Sequence, residues 1–457
     1  PGNSTWSVTG DIIVGTTSPG TLQLLNGARV TASGTLVVAY YPADIASVTV
    51  NNSILSTKAL SVGRGGTGSL TLLNGSSVTT ENLRVGSVGP RTSTITVQDS
   101  VLNVTDTINL SSASDAMGYM QVSGTGSVRT NTLYVGAGST NRSTGSITLL
   151  GASSSLTVTS NAYIGCTEGT GILLVSGSNM QAGTLMVSAY ARGDGVVTVA
   201  SGGRITLSNA FIIGNMRTGS VHIENGSVTV SDVTLGCSYP ESKPTWQGNL
   251  TISAGGSLTA SRAVVVGQVG GGLLHIDGGT VETVDLRVGS SGTATGTGSL
   301  TLSNGGKLNA HNADIGLAGQ GFLRVGDARM TVGRTLSVGS AGEIVFDVDL
   351  NTATGRTEAF ISADSVLLDV GGTFVVDVEN FSDALDTRIL LLEVTQDVSA
   401  EAKGILWQIL GVTDPEQHGV YTYWDGNKLY LNIGNIPEPA VSAGLLGLLA
   451  LAAVARR

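Results

Sequence analysis

Residues 68–75 read Gly-Ser-Leu-Thr-Leu-Leu-Asn-Gly, and residues 298–305 read Gly-Ser-Leu-Thr-Leu-Ser-Asn-Gly. In the first copy Leu70 and Leu72 alternate with Ser69 and Thr71, the period-2 pattern of a strand with one buried face. Asn74-Gly75 then supplies a turn, because both residue types tolerate positive φ. Variants occupy 20–27 and 219–226. A short apolar stretch follows each turn, such as Ser77-Val78-Thr79-Thr80 or Lys307-Leu308-Asn309-Ala310.

A second landmark, one aliphatic residue and a Gly, precedes these strands along the chain. It occurs at Val14-Gly15, Val62-Gly63, Val85-Gly86, Val135-Gly136, Ile164-Gly165, Ile213-Gly214, Leu235-Gly236, Val266-Gly267, Val288-Gly289, Ile315-Gly316 and Val338-Gly339. Degenerate copies stand at Val38-Ala39, Leu110-Ser111 and Val187-Ser188. Successive landmarks lie about 22 to 31 residues apart, within the range of solenoid repeats. Each unit offers about three short strands, and units of this size bury their apolar faces by stacking on copies of themselves. The expected fold is therefore all-β: a single-stranded parallel β-helix (β-solenoid) of about 14 coils of ~25 residues. At ~4.8 Å per coil it forms a rod on the order of 65 Å long. A β-propeller is the rival, but its repeats run roughly 40–50 residues and are richer in aromatics.

Composition agrees. Of the 457 residues 41% are hydrophobic but only 4% aromatic and 12% charged, and 65 are Gly. The abundance of Val, Leu and Ile argues against disorder. Gly without a three-residue period excludes collagen. A net charge of −10 argues against a nucleic-acid partner, which requires a basic face. Residue 1 is Pro, so a start region, naturally a removed signal peptide, is expected to have preceded it.

Three regions follow: repeats over 1–341, a β-rich C-terminal cap over 342–435, and a tail over 436–457. The cap carries longer alternating strands at 343–348 and 373–378, and a hairpin over 420–431 turning near Asp425-Gly426. It is expected to cover the last open coil. The tail holds Pro437-Glu438-Pro439, an uncharged apolar stretch over 440–455 that reads as a terminal helix, and Arg456-Arg457. That stretch is marginal for a permanent span, which usually needs ~20 apolar residues. The arginines would stay on the cytoplasmic side.

This tail resembles the PEP-CTERM sorting signal of Gram-negative bacteria. The resemblance implies transient anchoring in the inner membrane and processing near Pro437, Glu438 and Pro439 by an exosortase. It also implies delivery to the cell surface, outer envelope or extracellular polysaccharide matrix. The repeats in turn resemble the β-helical repeats of autotransporter passengers and PEP-CTERM proteins, on the Val-Gly landmarks and the strands of the 68–75 type. An autotransporter passenger itself needs a C-terminal outer-membrane barrel, for which the final segment is the wrong element.

Candidate chemistry is sparse. Parallel β-helices include polysaccharide lyases and hydrolases, which gather carboxylates and basic groups on adjacent coils. The best local group here is Glu282, Asp285 and Arg287, with Asp314 one coil later. Asp285 and Arg287 have the spacing of a surface ion pair. His222 with Glu224, and His275 with Asp277, share a repeat column two coils apart, about 10 Å, too far for one metal site. His311 and His418 show no partner. Cys166 and Cys237 both follow a landmark Gly but lie three coils apart, roughly 14 Å, so two free thiols are expected. No catalytic residue, cofactor or metal is expected. The leading reading is a non-enzymatic surface or matrix solenoid, structural or adhesin-like, sorted by its tail. A polysaccharide-active β-helix enzyme is the alternative.

Overall fold

The computed structural model describes residues 4–139, 143–189, 193–237, 247–289, 296–354, 356–369, 371–382, 387–398 and 407–434. The tail over 436–457, with its expected sorting signal and terminal helix, lies outside the described residues. The chain is all-β and winds a parallel β-solenoid of about 13 turns. Fourteen landmarks enclose thirteen intervals, which accounts for the difference from the expected 14 coils. Two sheets run the length of the molecule, one of 16 strands and one of 21.

The 68–75 motif belongs to the 16-stranded sheet. Its strand, Thr67–Leu73, lies between Ile45–Asn51 and Thr92–Gln98, parallel to both. Leu70 stacks on Val48 and Ile95, and Leu72 on Val50 and Val97. All six are at most 1% exposed. Burying each such side chain contributes about 2 kcal/mol, and the same two inward positions are buried on every rung from Ile45–Asn51 to Thr373–Glu379.

The three-strand reading of each unit needs correction. The apolar stretch after the turn and the next landmark run in one long strand, as in Ser77–Val85 and Val101–Leu110. The strand bends without breaking. Where these two pair, the register slips by one residue between Val104 and Thr107. Hydroxyls satisfy backbone at the bend: buried Thr80 Oγ1 donates to the carbonyls of Asn82 (3.1 Å) and Lys58 (3.3 Å), and Thr130 Oγ1 to those of Thr132 and Asp106, both 3.1 Å. Among the described residues the long strand does divide in three coils, at Thr5–Val8 with Ile12–Val14, at Ser127–Thr130 with Thr132–Val135 and at Arg204–Leu207 with Ala210–Ile213.

Both corners depend on small residues. After the Asn-Gly turn, buried Ser76 donates Oγ to the carbonyls of Leu73 (2.6 Å) and Val50 (2.8 Å), binding one coil to the previous one. At the other corner the first inward position of the 16-stranded sheet forms a glycine column. Gly118, Gly145, Gly171 and Gly195 stand in register, and the column runs on through Gly219, Gly248, Gly272, Gly298, Gly321 and Gly342. A Cβ on Gly171 would overlap the Gly165 amide and the Val135 carbonyl. The landmark therefore folds back directly onto the start of the following strand.

The column has two exceptions with side chains, Ala46 and Ser93. In both cases the landmark of the preceding coil is Gly. A Cβ on Gly15 would lie 2.8 Å from Ala46 Cβ, and one on Gly63 would overlap Ser93 Oγ. Conversely, the degenerate landmarks Ala39, Ser111 and Ser188 take left-handed φ of 60°, 64° and 61°. The column position one coil after each is Gly: Gly68, Gly145 and Gly219. Each corner thus holds one Cβ or none.

The parallel ladders continue beyond Val338. Gly342–Asp349, Thr373–Glu379 and Gln408–Leu410 extend the 16-stranded sheet, and Ile361–Leu368 and Thr387–Val398 extend the other. The core changes character here. Phe346 packs on Phe360, Phe374 and Trp407, with centroids 6.3, 6.5 and 5.9 Å away. Among the described strands, antiparallel pairing appears with Tyr421–Asp425 and Lys428–Ile433. Their hairpin loop is Gly426-Asn427, and Lys428–Ile433 pairs with Thr387–Val398. Leu429, Leu431 and Ile433 are at most 1% exposed, so this hairpin closes the 21-stranded sheet over the core.

Candidate functional site

The residues singled out in the sequence disperse along the outer faces. Arg287 lies 3.7 Å from Asp285, and Asn312 Nδ2 donates to Asp285 at 2.9 Å. Asp314 is the register neighbour of Arg287 one coil on. Glu282 sits across the bend, beside Thr259 and Asn309. The group is an exposed ion pair with neighbours, and its carboxylates do not converge on one point.

The two histidine pairs do share a column, with Thr251 between His222 and His275. His222 Nε2 lies 3.7 Å from Glu224 and 3.3 Å from Ser253 Oγ. His275 Nε2 meets Ser303 Oγ at 3.0 Å, and that hydroxyl donates to Asp277 Oδ1 at 2.9 Å. Ser303, His275 and Asp277 are a Ser/His/Asp set, but not in relay order. A nucleophilic Ser gives its proton to a His oriented by the carboxylate, whereas the Ser303 proton already points at Asp277. Hydrogen bonds from Asn304 and Ser303 hold the Asp277 carboxyl below its ordinary range. His418 packs edge-on against Phe381 at 5.5 Å. Among the described residues no three His, Cys, Asp or Glu side chains gather as metal ligands, and no helix is long and apolar enough to cross a membrane.

Cys166 and Cys237 are free and three ladder steps apart, through Val187 and Ile213. Burial pushes the Cys166 thiol up to about 12 and also raises that of Cys237. Neither is the exposed, electropositive cysteine that nucleophilic chemistry requires.

One cleft escapes the sequence reading. Between Asp349 and Ile361 the chain makes an eleven-residue excursion, where three residues (74–76) suffice at the same corner of an earlier coil. Leu350, Ala353, Ala359 and Phe360 anchor it in the core, each at most 4% exposed. Its outer side walls a cleft of about 760 Å³ against the face of the 21-stranded sheet. Lys307 and Arg329 are neighbours in one outward column, Asn309 and Thr331 in the next. Arg329 pairs with Glu358 at 2.6 Å, yet its Nε is buried without a partner. Arg356 lies 3.6 Å from Asp327, donates to the Ala328 carbonyl and stacks 4.0 Å over the Phe360 ring. Lys307 has no ion-pair partner among the described residues. The sequence signal was the loss of period after Val338, together with Arg356 and Glu358 inside the longer turn.

Comparison with known protein families and with curated proteins finds no family model and no curated protein that matches this chain.

Proposed function

We propose that this chain is a non-enzymatic solenoid of the cell surface or extracellular matrix, delivered there by its C-terminal tail. Its work is geometric: a stiff rod presents regular polar columns to glycans or neighbouring rods. The observation that supports this reading is the outer surface. Thr49, Thr71 and Thr96 stand on successive rungs of one column, and Ser56, Thr79 and Asn103 on successive rungs of another. Side chains of neighbouring coils bond along the axis, as Asn74 Nδ2 to Asn51 Oδ1 (2.9 Å) and Ser155 Oγ to Ser127 Oγ (3.2 Å). Such rows repeat at about the 4.8 Å strand spacing, and charged residues make up only 12% of the chain.

Delivery is assigned to the tail. Pro437-Glu438-Pro439, the apolar stretch and Arg456-Arg457 match the PEP-CTERM order at the C-terminal end of this sequence. An exosortase-type enzyme is the implied processing partner. Fractionation of the native host tests both parts. The intact chain is expected at the surface or in the extracellular polysaccharide, and a chain lacking 436–457 is expected to lose that location. Equal distribution of the two forms would refute delivery by the tail.

A further inference from the structure

The cleft beside the 350–360 excursion gathers five charged side chains on one wall of the rod. Three cations line it, Lys307, Arg329 and Arg356, with two anions, Asp327 and Glu358. Two of these cations are already committed. Arg356 is tied to Asp327 and to the Ala328 carbonyl, and so holds the wall in place. Arg329 is committed through one nitrogen to Glu358. What remains for a ligand is the Lys307 ammonium, the second terminal nitrogen of Arg329, which the bond to Glu358 leaves unused, and the amide and hydroxyl of Asn309 and Thr331.

These groups select among anions. A polyphosphate concentrates several negative charges, and here it would face Asp327 and Glu358 with one uncommitted cation to offset them. A nucleotide base would find no aromatic side chain in the lining. A saccharide bearing one carboxylate per sugar fits better: a single charge meets Lys307 and Arg329, and ring hydroxyls meet Asn309, Thr331 and the two carboxylates as acceptors. A volume of about 760 Å³ lies within the range of clefts that seat molecules much larger than one ion.

We infer that this cleft binds a uronic-acid oligosaccharide, its carboxylate held between Lys307 and Arg329. The inference deepens the surface-solenoid reading by giving the rod a ligand. It is tested on purified protein, so it can fail while delivery to the surface holds.

The experiment is titration calorimetry of the full-length chain with trigalacturonate, with neutral maltotriose and inorganic sulfate as controls. Trigalacturonate is expected to bind, and both controls more weakly by at least about tenfold, the discrimination a charge-assisted contact supplies. Lys307→Ala is expected to weaken trigalacturonate about tenfold, and Arg329→Lys, which keeps a charge for Glu358 but removes the second terminal nitrogen, by about fivefold. Arg204 occupies the same outward column four rungs earlier, through Ser227, Ser257 and Thr280. Arg204→Ala is expected to leave binding unchanged. Sulfate binding as tight as trigalacturonate, equal binding of maltotriose, or unaltered binding in Lys307→Ala would each overturn the proposal, as would no heat with trigalacturonate.

Discussion

The coil around residues 68–85 and the coil around 342–368 solve one corner differently. The first turns on Asn74-Gly75, with left-handed φ of 54° and 78°, and returns at once to the sheet through Ser76. The second spends eleven residues and a short helix, Leu350–Ala353, on the same task. The cores differ likewise. Leu70, Leu72, Val78 and Leu83 stack on aliphatic neighbours of similar size, whereas Phe346, Phe360, Phe374 and Trp407 interlock. The difference teaches what stacking demands. A coil that must accept a copy of itself on both sides needs a constant cross-section, so its corners stay small and its columns aliphatic. A coil near the closed end is freed from that requirement. It fills the core with rings and opens a corner into a cleft.

The contrast can be broken most severely within the repeats. Gly171→Val places branched carbons against the Gly165 amide and the Val135 carbonyl, with backbone on both sides. Urea unfolding is expected to register a loss of more than about 4 kcal/mol, the range reserved for overpacked or strained sites. Gly305, unlike Gly171, has positive φ (77°), but a Cβ there meets nothing within 4 Å. Gly305→Ala is thus expected to cost only about 1 kcal/mol.

Next in size is a pH effect at the same kind of corner. The Cys166 thiol, ordinarily near 9.0, is raised to about 12 by burial. A folded value above the unfolded one means that this contribution is fully present below pH 9 and is lost as pH rises through the window to about 12. At about 1.4 kcal/mol per unit the loss reaches about 4 kcal/mol at the top. Cys166→Ala is expected to flatten that alkaline slope, and iodoacetamide is expected to label Cys237 well before Cys166. A slope unchanged by the substitution would remove the burial explanation.

Leu431→Ala probes the closed end and is expected to cost about 3 kcal/mol. Its consequences should stay local, because each coil contacts only its neighbours. Hydrogen exchange is expected to quicken in Thr387–Val398 and leave Thr67–Leu73 unchanged; uniform loss of protection would show that end and repeats unfold as one unit.

The gentlest test concerns the single-Cβ corner. Gly63→Ala alone is expected to destabilise through Ser93 Oγ and through its φ of 69°. Adding Ser93→Gly should recover about 1–2 kcal/mol beyond additivity, the usual scale for residues in contact. Additive losses would mean that the corner tolerates two side chains.

Much of this was legible in residue order. Period-2 alternation at 69–72 and the recurring Val-Gly pairs specify strands, turns and stacking, and even Ala39, Ser111 and Ser188 fall into line with the glycines they replace. The merging of two stretches into one long bent strand was not legible, because a one-residue slip such as that at Val104/Thr107 exists only relative to a paired strand. The glycine column was visible as composition but not as function, since its reason is an approach to backbone of its own coil and of the coil before. The cleft depends on Lys307, Arg329 and Arg356, which no period links. They meet only because register aligns two of them and a longer turn brings the third.

Delivery of a rod by a removable tail is most directly tested by the mature C-terminus of protein recovered from the native host. Mass spectrometry is expected to find the chain ending near Pro437-Glu438-Pro439, with 440–457 gone. A mature chain that extends beyond residue 450 would contradict it.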